Sequence, residues 1–110
     1  MTIQYLLEKT DWKLMNEGVE TDKFIKGVFV GDLLSWVMGN SEERQAWVTV
    51  QAHNNVIAVA VLREFSCVII CQGATIPDDV VEQAITAGMP LISANQSAYE
   101  VCRSLIDLGL

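Results

Sequence analysis

The stretch Asn54-Asn55-Val56-Ile57-Ala58-Val59-Ala60-Val61-Leu62-Arg63-Glu64-Phe65 decides the fold. Its β-branched run at Val56, Ile57, Val59 and Val61 favours a strand on propensity alone. Two considerations outweigh that preference. Asn54 or Asn55 offers a side-chain N-cap. The segment also lies between two apolar runs suited to buried strands, Ala46 to Val50 and Cys67 to Cys71. Parallel strands need a crossover of about a dozen residues, usually helical, and Ala58 and Ala60 suit close helix packing. The segment is therefore predicted to be a helix, apolar on nearly every side and needing cover on more than one.

The pattern continues toward the C-terminus. Pro77 near a start, Asp78 and Asp79 in a first turn, and an apolar stripe of Val81, Ala84 and Ile85 predict a helix closed by Gly88 and Pro90. A short strand over Pro90 to Ile92 follows. Ser97 and Glu100 form a capping box ahead of a last helix, with Val101, Leu105, Leu108, Cys102 and Ile106 facing inward and Gly109 ending it. From residue 46 the order is thus β-α-β-α-β-α, which implies an α/β domain with a largely parallel sheet.

The N-terminal third is read as additions to that sheet. Thr2 caps a first helix with Ile3, Leu6 and Leu7 on one face. Trp12 to Leu14 alternate as a short strand, and Phe24 to Val30 form a second. Asp32 is expected to N-cap a helix with Leu34, Val37 and Met38 inward, closed by Gly39. The strands around Leu14 and Val28 are expected to give the sheet a mixed edge.

Composition bounds what such a domain does. The chain has 110 residues, 51% hydrophobic and 19% charged, enough for one domain with one core. Fourteen acids against seven bases give a net charge of -7, which argues against nucleic acid and against anionic membranes. The longest apolar run, Val56 to Leu62, is too short to span a bilayer, and no leader-like segment precedes residue 20. A cytoplasmic protein is expected. Cys67 and Cys71, on one face of a strand about 13 Å apart at about 3.3 Å per residue, cannot form a disulfide. With Cys102 they are read as buried, reduced thiols rather than metal ligands.

Chemistry has few places to sit. In open α/β sheets, ligands bind beyond the carboxyl ends of the strands. Three strand ends run into polar loops: Gln51-Ala52-His53-Asn54, Gln72-Gly73-Ala74-Thr75, and Ser93-Ala94-Asn95-Gln96-Ser97. Helices start in the first and third, so free backbone N–H groups face this rim and favour an anion such as phosphate. The candidate ligand residues are Gln51, His53, Asn54, Gln72, Gly73, Ser93, Asn95 and Ser97. The same Asn and Ser side chains equally suit plain helix capping. His53, the single histidine, has no local acid or nucleophile to work with as a general base. No phosphate loop, nucleophile elbow, CxxC pair or HExxH helix occurs. Asp78 and Asp79 offset a helix dipole, and Trp12, Trp36 and Trp47 serve as core or interface anchors without a basic groove beside them. No catalytic residue, metal site or cofactor is expected.

The segments Gly31-Asp32-Leu33-Leu34-Ser35-Trp36-Val37-Met38 and Ala46-Trp47-Val48-Thr49-Val50-Gln51-Ala52-His53, the run through Ala58 and Ala60, and the ending Gly88-Met89-Pro90-Leu91-Ile92-Ser93 with Ser97 and Glu100 resemble stand-alone DRTGG-domain proteins. The resemblance covers essentially the whole chain. It implies a three-layer fold like the N-terminal domains of HPr kinase/phosphorylase and of the Mur ligase that adds the final dipeptide. The same module occurs in phosphate acetyltransferases and in CBS-containing pyrophosphatases, where it is regulatory or structural. Small stand-alone members are often encoded near iron-only hydrogenase subunits and sensor-kinase-like proteins, implying regulation or assembly. The Asp-Arg of the family name should follow the strand ending at Val50, where this chain has Ala52-His53. The Thr-Gly-Gly should follow the next strand, where Cys71-Gln72-Gly73 stands, so only Gly73 is retained.

Three functional expectations follow. The first is a non-catalytic regulatory module, a homodimer through its apolar Val56 to Leu62 segment, binding a small polar, phosphorylated or nucleotide-like metabolite. The second is a protein-interaction adaptor with no small ligand, its acidity steering it to a basic partner. The third, and least favoured, is a minor enzyme using His53 and Gln51.

Overall fold

The computed structural model describes all 110 residues. Its core is one five-stranded sheet in the order β1-β5-β4-β3-β2. The strands are β1 (Lys13–Leu14), β2 (Gly27–Val30), β3 (Gln45–Thr49), β4 (Cys67–Ile70) and β5 (Leu91–Ser93). Strands β2 to β5 are parallel and adjacent in chain order, while β1 closes the far edge antiparallel to β5. The mixed edge expected from the sequence is therefore made by the strand at Leu14 alone; the strand at Val28 forms the opposite edge and is parallel to β3. The helices are α1 (Ile3–Lys9), α2 (Leu34–Asn40), α3 (Asn54–Leu62), α4 (Asp78–Ala87) and α5 (Ala98–Asp107).

Strand side chains alternate between faces, which divides the interior into two cores. On one side Trp47, Val68, Ile70 and Leu91 meet Val37 of α2, Val56, Ile57 and Ala60 of α3, and Val80 and Ala84 of α4. On the other, Ala46, Val48, Cys67, Ile69 and Ile92 meet Ile3 and Leu6 of α1 and Val101 and Leu105 of α5. The three layers are therefore α1 and α5, the sheet, and α2 to α4. Strand β4 is buried on both faces throughout, as a central parallel strand must be. Trp47 anchors its layer by stacking on Phe65 with ring centroids 5.1 Å apart, and its indole N–H donates to Gly31 O at 2.9 Å.

The segment Asn54 to Leu62 is helical despite its β-branched run. Its neighbours β3 and β4 are parallel, so the link must cross the sheet, and helix burial outweighs local propensity. Its cover differs from expectation: Val56, Ile57 and Ala60 are buried, but Val61 and Leu62 are 46% and 66% exposed. One face is packed and the other is open. Its cap also differs. His53 occupies the N-cap position without a side-chain hydrogen bond, and neither Asn54 nor Asn55 caps.

Other expectations shift similarly. The second strand begins at Gly27, not Phe24, because Phe24 bridges Thr2 and Ile25 donates to Met1 O across an N-terminal arm. Leu33, not Asp32, is the N-cap of α2, and that helix runs one residue past Gly39. Ile85 and Ile106, expected inward, are 52% and 67% exposed, leaving Val80 and Ala84 to bury α4 and Val101 and Leu105 to bury α5. The Ser97–Glu100 capping box and the left-handed Gly88 that ends α4 are present as read. No helix is long and apolar enough to cross a membrane.

Candidate functional site

The carboxyl ends of β2, β3 and β4 open into a cleft of about 190 Å3 whose wall includes Asp32, Thr49, Val50, Cys71, Gln72 and Ala98. Asp32 organises it. One carboxylate oxygen accepts from the Thr49 hydroxyl at 2.7 Å and from the Val50 N–H at 2.9 Å. The Gln51 N–H then donates to Thr49 Oγ1 at 3.2 Å. The tips of β2 and β3 are thereby tied by a side chain as well as by the backbone bond from Gly31 N–H to Val48 O of 3.2 Å. The acid also occupies the donor that an anion would otherwise meet at the tip of β3.

The eight residues read as candidates fall into two groups. Gln72 and Gly73 are drawn to the third loop: Gln72 N–H donates to Gln96 O at 2.7 Å and Gly73 N–H to Ala94 O at 2.9 Å. Both residues are left-handed, at φ 65° and 61°. A Cβ on Gly73 would lie 3.0 Å from Asn95 Oδ1, which gives the retained glycine a steric reason. Trp12 Nε1–H holds the same loop from the sheet edge, donating to Gln96 Oε1 at 2.9 Å. Ser93 ends β5 opposite Ile70 and Lys13. Ser97 is engaged in the capping box, its hydroxyl 3.1 Å from Glu100 Oε1. Of the eight, Gln72 alone lines the cleft.

Gln51, His53 and Asn54 form the other group, at the N-terminus of α3. Gln51 is half-buried, with Oε1 buried and without a partner. His53 and Asn54 are exposed, and Asn54 Nδ2–H donates to Asp79 Oδ2 at a long 3.4 Å. The rim helices differ in how their N-termini are used. α4 starts with Asp78 and Asp79, and α5 with Glu100 in its capping box. α3 has no acid in its first turn and no side-chain cap; Val56 N–H donates to His53 O at 3.0 Å, and the Asn54 and Asn55 amides with the positive dipole end remain unassigned.

The thiols are not reagents at this site. Burial pushes Cys67 up to about 12, partly offset by Lys23. Cys71 is raised chiefly by burial, with smaller contributions from Asp32 and Cys102, although its own backbone bond opposes them. Cys102 is raised by burial as well. All three are free. No three His, Cys, Asp or Glu side chains gather where they could hold a metal ion.

A larger groove of about 540 Å3 lies at the opposite end of the sheet, beside Lys23, Phe24, Arg44 and Glu64. Helices α3 and α4 end there, and helix C-termini carry negative partial charge. Lys23 is used against it, donating from Nζ to Gly88 O at 3.2 Å. Sequence reading missed this groove and missed Asp32 and Thr49 in the cleft. An acid ahead of an apolar helix signals an N-cap, and only the register of β2 against β3 reveals its other partner.

The DRTGG domain family model matches residues 6–108. Among solved structures, a similar one contains the CBS and DRTGG domains of the regulatory region of Clostridium perfringens pyrophosphatase, in complex with the activator diadenosine tetraphosphate. The two superpose with a TM-score of 0.74 at 15% identity, over 96% of this chain and 46% of that one, so this chain spans just under half of that chain and shares its fold. No curated protein matches the sequence. With almost every element from α1 to α5 inside the matched span, this chain belongs to the DRTGG domain family.

Proposed function

We propose that this protein is a non-catalytic regulatory module, a homodimer that binds a small polar or phosphorylated metabolite at the carboxyl end of its sheet. The observation that supports it most is the N-terminus of α3. It is the one rim helix of more than two turns with neither an acid in its first turn nor a side-chain cap, the arrangement that receives phosphate. His53, Asn54 and Asn55 surround it as exposed donors. The cleft of about 190 Å3 at the same end of the sheet, with Ala98 of α5 and none of residues 51–56 in its wall, is smaller than the roughly 300 Å3 at which drug-sized sites begin. It therefore suits one polar group of a ligand, with the remainder lying outside. The pyrophosphatase regulatory region, which shares the fold, is complexed with a nucleotide activator. A nucleotide-like ligand and a cytoplasmic setting are consistent with this reading. Catalysis is not part of it, since His53 makes no side-chain hydrogen bond as N-cap of α3 and no acid orients it.

One observation favours a protein-interaction adaptor as the second reading. Leu33, Trp36 and Tyr99 are 66%, 61% and 75% exposed, and large apolar side chains in the open mark binding surfaces. A thermal-shift series with diadenosine tetraphosphate, mononucleotides, acetyl phosphate and sugar phosphates separates the two. A ligand at 100 times its Kd stabilises by about 2.7 kcal/mol. Asn54→Asp, which sets a negative charge at the amides, is expected to weaken the response by on the order of tenfold in Kd. Silence across the whole series supports the adaptor and removes the ligand reading.

A further inference from the structure

The segment Lys26-Gly27-Val28-Phe29-Val30-Gly31-Asp32 reads identically in both directions about Phe29, except that its two ends carry opposite charges. Its centre is β2, the last strand of the sheet. Below Gly27 that edge is covered by the N-terminal arm, through the Thr2–Phe24 bridge and the Ile25 N–H to Met1 O bond of 2.8 Å. From Gly27 upward no strand of this chain pairs with it. The opposite edge is protected: β1 is two residues long and bears an exposed lysine, Lys13. Short, charged edges resist pairing, whereas uncharged edges free of proline invite it. β2 is uncharged, lacks proline, and leaves Val30 50% exposed.

We propose that two copies join through β2, antiparallel about a twofold axis at Phe29, so that two five-stranded sheets become one. This rests on the homodimer reading above and names its surface, which the outer face of α3 would otherwise supply. In this register Gly27 lies opposite Gly31, Val28 opposite Val30, and Lys26 of each copy opposite Asp32 of the other. A chain of net charge -7 thus meets itself where opposite charges coincide, and the symmetry repeats the match twice. A slip of two residues sets each Lys26 against an apolar residue and loses both matches, so the charges fix register as well as partner. The pairing covers Val30 and brings the two clefts, each with Val30 and Asp32 in its wall, to either side of the axis.

Light scattering and sedimentation over a concentration series test it, with Lys26→Glu, Val30→Lys and, on the outer face of α3, Leu62→Lys. The wild type is expected to dimerise. Lys26→Glu sets like charges opposite at two places and should weaken the dimer by on the order of tenfold or more. Val30→Lys should do the same, and Leu62→Lys should not. Should Val30→Lys fail to fold, Lys26→Glu alters only an exposed side chain and keeps the test open. A wild-type dimer indifferent to both β2 variants overturns the β2 interface and leaves the homodimer reading standing. A wild type that is monomeric throughout overturns both.

Discussion

Removing the Asp32 carboxylate is expected to loosen the tips of β2 and β3. Asp32→Ala leaves the Thr49 hydroxyl and the Val50 N–H without their acceptor. Because Val50 is solvent-accessible, the expected loss is about 1–2 kcal/mol, read from the urea midpoint; an unchanged midpoint contradicts this account of the cleft. Cys67 sets a pH dependence. Its thiol is held at about 12 when folded, against 9.0 for an unperturbed thiol. The unfolded chain therefore loses this proton first as pH rises. The stabilising difference is intact below pH 9.0 and is lost toward about 12, at about 1.4 kcal/mol per pH unit. Cys67→Ala should flatten that part of the stability profile; a profile identical to wild type means the thiol does not contribute. Both residues were visible in the sequence, but their roles were not equally so. A cysteine in an apolar run announces burial, whereas the role of Asp32 depends on a partner seventeen residues away in β3.

Among the elements, β1 depends on a residue no pattern singled out. Asn16 is fully buried, and its amide bridges two backbone groups: Nδ2–H donates to Met89 O at 2.7 Å and Oδ1 accepts from Leu91 N–H at 2.9 Å. It continues the β1–β5 pairing with a side chain. Asn16→Ala leaves both groups buried and unpaired and is expected to cost about 2–4 kcal/mol, with β1 amides exchanging fastest. Protection of β1 equal to wild type contradicts it. Element types were legible where two constraints agreed. For α3 propensity pointed one way and the crossover between β3 and β4 the other, and connectivity prevailed. What periodicity could not give was the number of faces covered. In α3, Val61 and Leu62 are as apolar as Val56 and Ile57 yet remain open, because nothing in the chain lies beyond them. The same holds for Ile85 and Ile106, whose identity alone suggested burial.

At the scale of the whole molecule, β-α alternation after residue 45 made the largely parallel α/β sheet readable, and the resemblance, carried in part by Gly31 to His53, pointed to the family and its three layers. The convergence of polar loops was readable only in part. The second and third loops do meet, through Gln72, Gly73, Ala94 and Gln96, but they bond to each other and fill part of the expected rim. The unassigned amides are left beside α3, and the larger groove opens at the far end among helix C-termini, where dipoles oppose an anion. The account therefore turns on which end of the sheet receives a ligand. Titrating 15N-labelled protein with diadenosine tetraphosphate, ADP and acetyl phosphate tests this most directly. The account predicts saturable amide shifts across residues 50–56 and at Gln72 and Gly73, suppressed in Asn54→Asp. Shifts confined to the groove around Lys23 and Arg44, or none at millimolar ligand, would contradict it.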